Sequence, residues 1–99
     1  MPATPDGVAV RLEMGYTPAE FARRLEAFAD VTHDAARARF DHVEGDRSWS
    51  LRLINPRQRI IASVRLPTVD VELVFRGYAR AEIVTFMARF HAWFRRGGG

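Results

Sequence analysis

Gly15-Tyr16-Thr17-Pro18-Ala19-Glu20-Phe21 has the grammar of a strand-to-helix junction, and the chain repeats it as Gly77-Tyr78-Ala79-Arg80-Ala81-Glu82-Ile83. In the first copy Thr17 offers the hydroxyl of an N-cap, Pro18 suits the first helical position, and Glu20 completes a capping box. The tyrosine before each cap can pack on the apolar residue at N4, Tyr16 on Phe21 and Tyr78 on Ile83, as a hydrophobic staple. The glycine before each tyrosine is expected to let the chain leave a strand at positive φ. Structure accounts for the whole repeat, which leaves no chemistry for it to encode.

Outward from these junctions the apolar spacing supplies the remaining elements. Val8, Val10, Leu12 and Met14 alternate with Ala9, Arg11 and Glu13, the period of a half-buried strand. Phe21, Ala22, Leu25, Phe28 and Ala29 mark the buried stripe of a helix from about Pro18 to Asp30. Val31 to Asp34 reads as a connector. Ala36 to Val43 reads as a second strand, followed at Glu44-Gly45-Asp46-Arg47 by a glycine-first hairpin turn of type II′ character. Trp49, Leu51 and Leu53 define the inner face of a third strand, and Asn55-Pro56-Arg57-Gln58 reads as a turn. Ile60, Ala62, Val64 and Leu66 then face inward on a fourth strand, as do Val69, Val71, Leu73 and Phe75 on a fifth. Pro67-Thr68 between the last two is poor hairpin chemistry, so a kinked continuous strand or a wider loop is the rival reading. A final helix from about Arg80 to Arg96 carries Ile83, Phe86, Met87, Phe90 and Phe94 on one face.

The order β-α-β-β-β-β-α predicts an α+β two-layer sandwich, a mostly antiparallel sheet with both helices on one face. It is similar to the order of helix-grip and TATA-binding-protein-like folds, a likeness that spans nearly the whole chain but rests on no motif. Folds of that kind host unrelated functions. A disordered lead is expected over residues 1–7, one domain over 8–96, and a flexible glycine tail over 97–99.

The 99 residues suffice for a single modest core, and an apolar share of 47% argues against disorder. All 15 basic residues are arginine, with no lysine and no cysteine. Codon bias in a GC-rich bacterial genome accounts for that usage. It nevertheless excludes lysine Schiff bases, a P-loop lysine, thiolate nucleophiles, disulfides and cysteine-ligated metals. The N-terminus lacks the basic and apolar regions of a signal peptide, and no apolar run reaches transmembrane length, so a cytoplasmic protein is expected. A net charge of +3 permits anionic partners without requiring them.

If Pro67-Thr68 closes a hairpin, the register implied by the turns gathers Arg37, Arg39, Arg52, Arg59 and Arg76 on one half of the uncovered sheet face. They surround Ile54, Ile61 and Val74. Guanidinium groups around an apolar centre suit a protein partner, or an anion such as a phosphorylated ligand or nucleic acid. The face has no aromatic residue on which bases could stack, which ranks nucleic acid below protein. Asp41 and Glu72 are expected to share one row of that face, with nothing to desolvate them, so solubility rather than acid–base chemistry is their expected role.

His33, His42 and His91 have no metal-ligand spacing and are expected as a loop residue, a packing residue and a helix-margin residue in turn. No nucleophile motif is present, and neither catalytic nor metal-binding residues nor a cofactor are expected. Phe21, Phe28, Trp49, Phe75, Phe86, Met87 and Phe90 suffice to fill the space between helices and sheet, so core packing is preferred there to an apolar ligand pocket. The tail Arg95-Arg96-Gly97-Gly98-Gly99 resembles the Arg-Gly-Gly end of ubiquitin-like modifiers and sulfur carriers, which implies activation at a C-terminal glycine. It departs from their pattern in following a helix, in its three glycines, and in an element order that is not β-grasp.

The expected function is a non-enzymatic protein–protein interaction module, homodimeric through the open sheet face, without a membrane partner. Arg39, Arg52, Ile54, Arg59, Ile61, Val74 and Arg76 are its expected contact residues. Anion binding through Arg37, Arg39, Arg52, Arg59 and Arg76 is the alternative, and a glycine-activated carrier the lesser one.

Overall fold

The structure, a computed structural model, describes residues 7–95. The expected lead (Gly7 apart) and the expected glycine tail lie outside the described residues, as does Arg96. The elements are β1 (Val8–Met14), α1 (Pro18–Phe28), β2 (Thr32–Asp34), a 3-10 turn (Ala35–Arg37), β3 (Arg39–Glu44), β4 (Arg47–Ile61), β5 (Val64–Arg76) and α2 (Arg80–Phe94). The strands form one antiparallel sheet in the order β1-β5-β4-β3-β2, and the helices cover one of its faces. The two-layer α+β order predicted by the sequence is the observed one.

The first junction forms as its residues dictate. Thr17 Oγ1 accepts from the Glu20 amide at 3.1 Å, and Glu20 Oε1 accepts from the Thr17 amide at 3.1 Å. Removing such a cap costs about 1 kcal/mol. Tyr16 meets Phe21 edge-on with ring centroids 6.0 Å apart, and its hydroxyl donates to the Phe94 carbonyl at 2.6 Å. The junction that starts α1 therefore also satisfies a carbonyl at the end of α2. Arg24 does the same for the Trp93 carbonyl at 2.8 Å, and the Trp93 indole N–H donates back to the Arg24 carbonyl at 2.8 Å.

The second junction keeps half of the capping box: Ala79 has no capping side chain, and Glu82 Oε1 accepts from its amide at 2.7 Å. Gly77 takes the expected positive φ, +81°. A Cβ there would stand 3.0 Å from Arg47 Cβ and from the Asp46 carbonyl, so the junction is pressed against the β3–β4 turn. Gly15 is not left-handed, contrary to expectation. The bend there is closed by the Tyr16 amide donating to the Met14 carbonyl at 3.0 Å.

The helices lie antiparallel, with Phe21 stacked on Phe94 at 4.5 Å and Phe28 edge-on to Phe86 and Phe90 at 5.7 and 6.0 Å. Beneath them Phe40, Trp49, Leu51, Leu53, Val69, Val71, Leu73 and Phe75 are buried on alternate positions of β3, β4 and β5. Each such side chain contributes about 1.5–3 kcal/mol of transfer free energy, so this layer dominates the favourable side of folding. Phe28, Phe86 and Met87, expected to be full members of the core, are only partly buried against it.

The middle of the chain departs from its sequence reading. Thr32–Asp34 is an edge strand rather than a connector, and the strand expected from Ala36 begins at Arg39, after a left-handed Ala38 with φ +50°. The turn on Gly45 (φ +64°) forms as expected, and the register it dictates sets Phe40 opposite Leu51. Beyond Leu53 the expected register does not form. The chain passes straight through Asn55–Gln58, reverses at Ala62-Ser63, and returns through Pro67-Thr68 as the continuous strand that was the rival reading. Leu53 therefore pairs with Val71 and Trp49 with Phe75, where a turn at Asn55–Gln58 would have set them opposite Ile60 and Val64.

Asn55 and Pro56 make a bulge between the pairs Ile54–Asp70 and Arg57–Thr68. Asn55 takes φ +55°, a conformation asparagine tolerates and bulges use. Pro56 supplies no amide hydrogen where the ladder is interrupted. Past this bulge Arg57–Ile61 and Val64–Thr68 pair only with each other. They form an arm that helps draw the molecule out to 48 Å against 28 Å in the other two directions.

Candidate functional site

The open face of the sheet is built from the strand positions that alternate with the core. One row runs Arg39–Arg52–Glu72–Arg11 across β3, β4, β5 and β1, and the next runs Asp41–Ser50–Val74–Ala9. Ile54 faces Asp70, whose other neighbour is Glu13, and Arg76 faces Ser48 at the opposite end. Arg59 and Ile61 lie on the arm, opposite Leu66 and Val64. Arg37 sits in the 3-10 turn, off the sheet. Of the five expected arginines, only Arg39 and Arg52 are strand neighbours, and the others are distributed along the molecule. Asp41 and Glu72 occupy adjacent rows rather than one row.

The charges of this face are largely matched internally. Arg39 makes a forked contact with Asp41 at 3.0–3.1 Å, and the hydrogen bonds and field of that carboxylate raise its pKa further. Arg52 and Arg11 share Glu72 at 2.9 and 3.3 Å. Arg57 reaches Asp70 at 3.2 Å and Glu13 at 2.5 Å, and Arg59 also bonds Glu13 at 2.5 Å. Arg37 pairs with Asp34 at 3.5 Å. Arg76 alone of the expected set has no carboxylate partner among the described residues. Pairs this exposed are worth about 0–1 kcal/mol each, but together they cancel most of the field an anion would feel.

The arm presents a different surface. Ile60, Ile61, Val64 and Leu66 are 63%, 54%, 54% and 41% exposed, although the sequence pattern assigned Ile60, Val64 and Leu66 to the core. Strand alternation sets Ile61, Val64 and Leu66 on the side continuous with the open face, and Ile60 on the other. Ile60, Val64 and Leu66 were missed as candidates because their alternation is that of a buried strand. The break at Asn55-Pro56 was the signal that the layer covering them had ended.

At the opposite end of the sheet a cleft of 560 Å³ opens between the end of α1, the β3–β4 hairpin and the first half of α2. Arg47 is its hub. It bonds Glu82 and, at 3.3 Å, Glu44, and its guanidinium stands 4.9 Å from the centre of the Tyr78 ring. Burial opposes the charge on Arg47, but the two glutamates outweigh it and its pKa is raised. The Ala79 amide and Arg47 together lower the pKa of Glu82, while burial raises that of the Tyr78 phenol. The arrangement is a charge latch that ties the β3–β4 turn to the start of α2.

The histidines serve packing. His33 stacks on Phe40 at 4.1 Å from an edge strand rather than a loop, His42 stacks on Trp49 at 5.4 Å, and His91 meets Phe90 edge-on at 6.1 Å. No group of three potential metal ligands occurs among the described residues. No described helix is long and apolar enough to cross a membrane. No family model matches the chain, and neither a curated protein nor a solved structure matches it.

Proposed function

We propose that the protein is a small interaction module that binds a second copy of itself through the arm and the adjoining open sheet face. The carrying observation is the arm: Ile61, Val64 and Leu66 on one side of a projecting hairpin and Ile60 on the other, all exposed among the described residues. Exposed apolar clusters of this kind mark association surfaces. The neighbouring charges favour a like partner. The face carries both signs, Arg11, Arg39 and Arg52 beside Asp41, Asp70 and Glu72, so a two-fold arrangement has opposite charges to set against each other. Ile54 lies where arm and sheet meet, Arg59 midway along the arm and Ile61 beside its tip, with Val64 and Leu66 added to the expected set. Arg39, Arg52, Val74 and Arg76 form the outlying rim.

Binding of a phosphorylated ligand or nucleic acid by the same arginines has weaker support, since most of them already hold carboxylates. Sedimentation velocity over a range of concentrations tests the reading. The expected result is a dimer that persists in high salt and becomes a monomer in Ile61→Asp. A wild-type protein that stays monomeric, or an Ile61→Asp variant that dimerises unchanged, overturns it.

A further inference from the structure

The cleft at the latch end is independent of the arm and has the make-up of a small-molecule site. Its volume falls within the range of ligand pockets, about 300–1,000 Å³. Phe28, Trp49 and Phe86 line it with ring surface, and the two helical phenylalanines are only partly buried by the protein itself.

Its charges divide into two sets. Arg47, Glu44 and Glu82 satisfy one another within the latch. Arg89 and Asp30 also line the cleft, and neither side chain has an ion-pair partner among the described residues. The Arg89 guanidinium is 5.7 Å from the centre of the Phe28 ring, and Asp30 lines the same cleft just past the end of α1. A guanidinium held over a ring keeps its N–H edge free for a carboxylate, and an aspartate at the same rim suits an ammonium group.

A third polar group is fixed in its tautomer. His42 Nδ1 lies 2.7 Å from the Asp30 carbonyl. A carbonyl oxygen can only accept, so Nδ1 carries the hydrogen and Nε2 of the neutral ring is left as an acceptor. A ligand that satisfies all three groups has a carboxylate, an ammonium, an aromatic body and a hydrogen-bond donor on that body.

We propose that this cleft binds a free aromatic amino acid with a donor on its ring, tryptophan or tyrosine. Arg89 receives the carboxylate, Asp30 the ammonium, and His42 Nε2 the ring donor, with the ring lying among Phe28, Trp49 and Phe86. Binding is read from amide chemical shifts of the full chain titrated with L-tryptophan, its methyl ester and N-acetyl-L-tryptophan.

Saturable shifts confined to the cleft are expected with tryptophan, and about tenfold or weaker affinity for each blocked form, the loss due to one charge-assisted bond. Arg89→Gln should bind tryptophan and its methyl ester equally, and Asp30→Asn should bind tryptophan and N-acetyltryptophan equally. Both positions are exposed, so the variants are expected to fold, and an unchanged circular-dichroism spectrum checks it. Ile61→Asp should leave tryptophan affinity unaltered, which separates this proposal from the dimer. The proposal is overturned by absence of saturable shifts at millimolar tryptophan, or by undiminished affinity for the blocked forms. Retained discrimination in both variants overturns it as well.

Discussion

The β4–β5 hairpin is two structures in one continuous pair of strands. On the near side of Asn55, alternate residues Trp49, Leu51, Leu53, Val71, Leu73 and Phe75 are buried beneath two helices. On the far side, the same kind of alternation leaves Ile60, Ile61, Val64 and Leu66 in solvent. The near end is tied down by Arg47 to Glu82 and by Gly77 pressed on the turn, whereas the far end is held by its own ladder and by Arg57 and Arg59 on Glu13. Alternation states which side of a strand is apolar. Whether anything covers that side depends on how far the helices reach.

Truncation on the two sides should separate them most widely. Leu73→Ala is expected to lower unfolding free energy by about 2–5 kcal/mol, because it opens a cavity under α1 and α2. Leu66→Ala should change it by no more than about 0.5 kcal/mol, as at other exposed positions. Denaturant unfolding of both variants, at a concentration where sedimentation shows a monomer, is the measurement. Equal losses would mean that the arm is covered within one chain.

The boundary itself is the next target. Asn55→Val puts a β-branched residue at φ +55° and should cost about 1–2 kcal/mol, with faster amide exchange in Arg57–Ile61 than in Trp49–Leu53. Uniform acceleration would show that the arm and body open together.

The near end should also respond to acid. Glu82 has a folded pKa below its ordinary 4.5, so its contribution is fully present above that value. It is lost as pH falls through the lowered folded pKa. Glu82→Gln should therefore reduce stability near neutrality and flatten its decline in acid, with arm exchange unchanged. The smallest effect belongs to the tip. Ala62→Gly relieves a left-handed alanine (φ +55°) at the cost of a more flexible unfolded chain, and should slow arm exchange slightly without moving the body.

The near side was legible in the sequence because each of its signals is local. Thr17 and Glu20 set the start of α1, Gly45 set the first turn, and the pairing of Phe40 with Leu51 followed from that turn. The far side was not, because a turn and a bulge use the same residues. Asn55-Pro56 supplies a left-handed position and a missing donor, and both structures need them. The real reversal at Ala62-Ser63 has no glycine, asparagine or proline to announce it. The cleft was illegible for another reason: Asp30 follows the end of α1 and Arg89 belongs to α2, so no spacing connects them. The aromatic residues that wall it read as core, and for Trp49 that reading holds.

Pro56 and Pro67 acquire a further meaning from where they sit. Both lie in the stretch of the hairpin with no third strand alongside, which is the open border where fibrils recruit new chains. Neither has an amide hydrogen to donate, and proline along an exposed border is a common guard against added strands. Growth by adding strands is thus discouraged at two places, while the aliphatic sides of the ribbon remain available to be covered. If the arm pairs as proposed, this border favours a closed pair over continued growth.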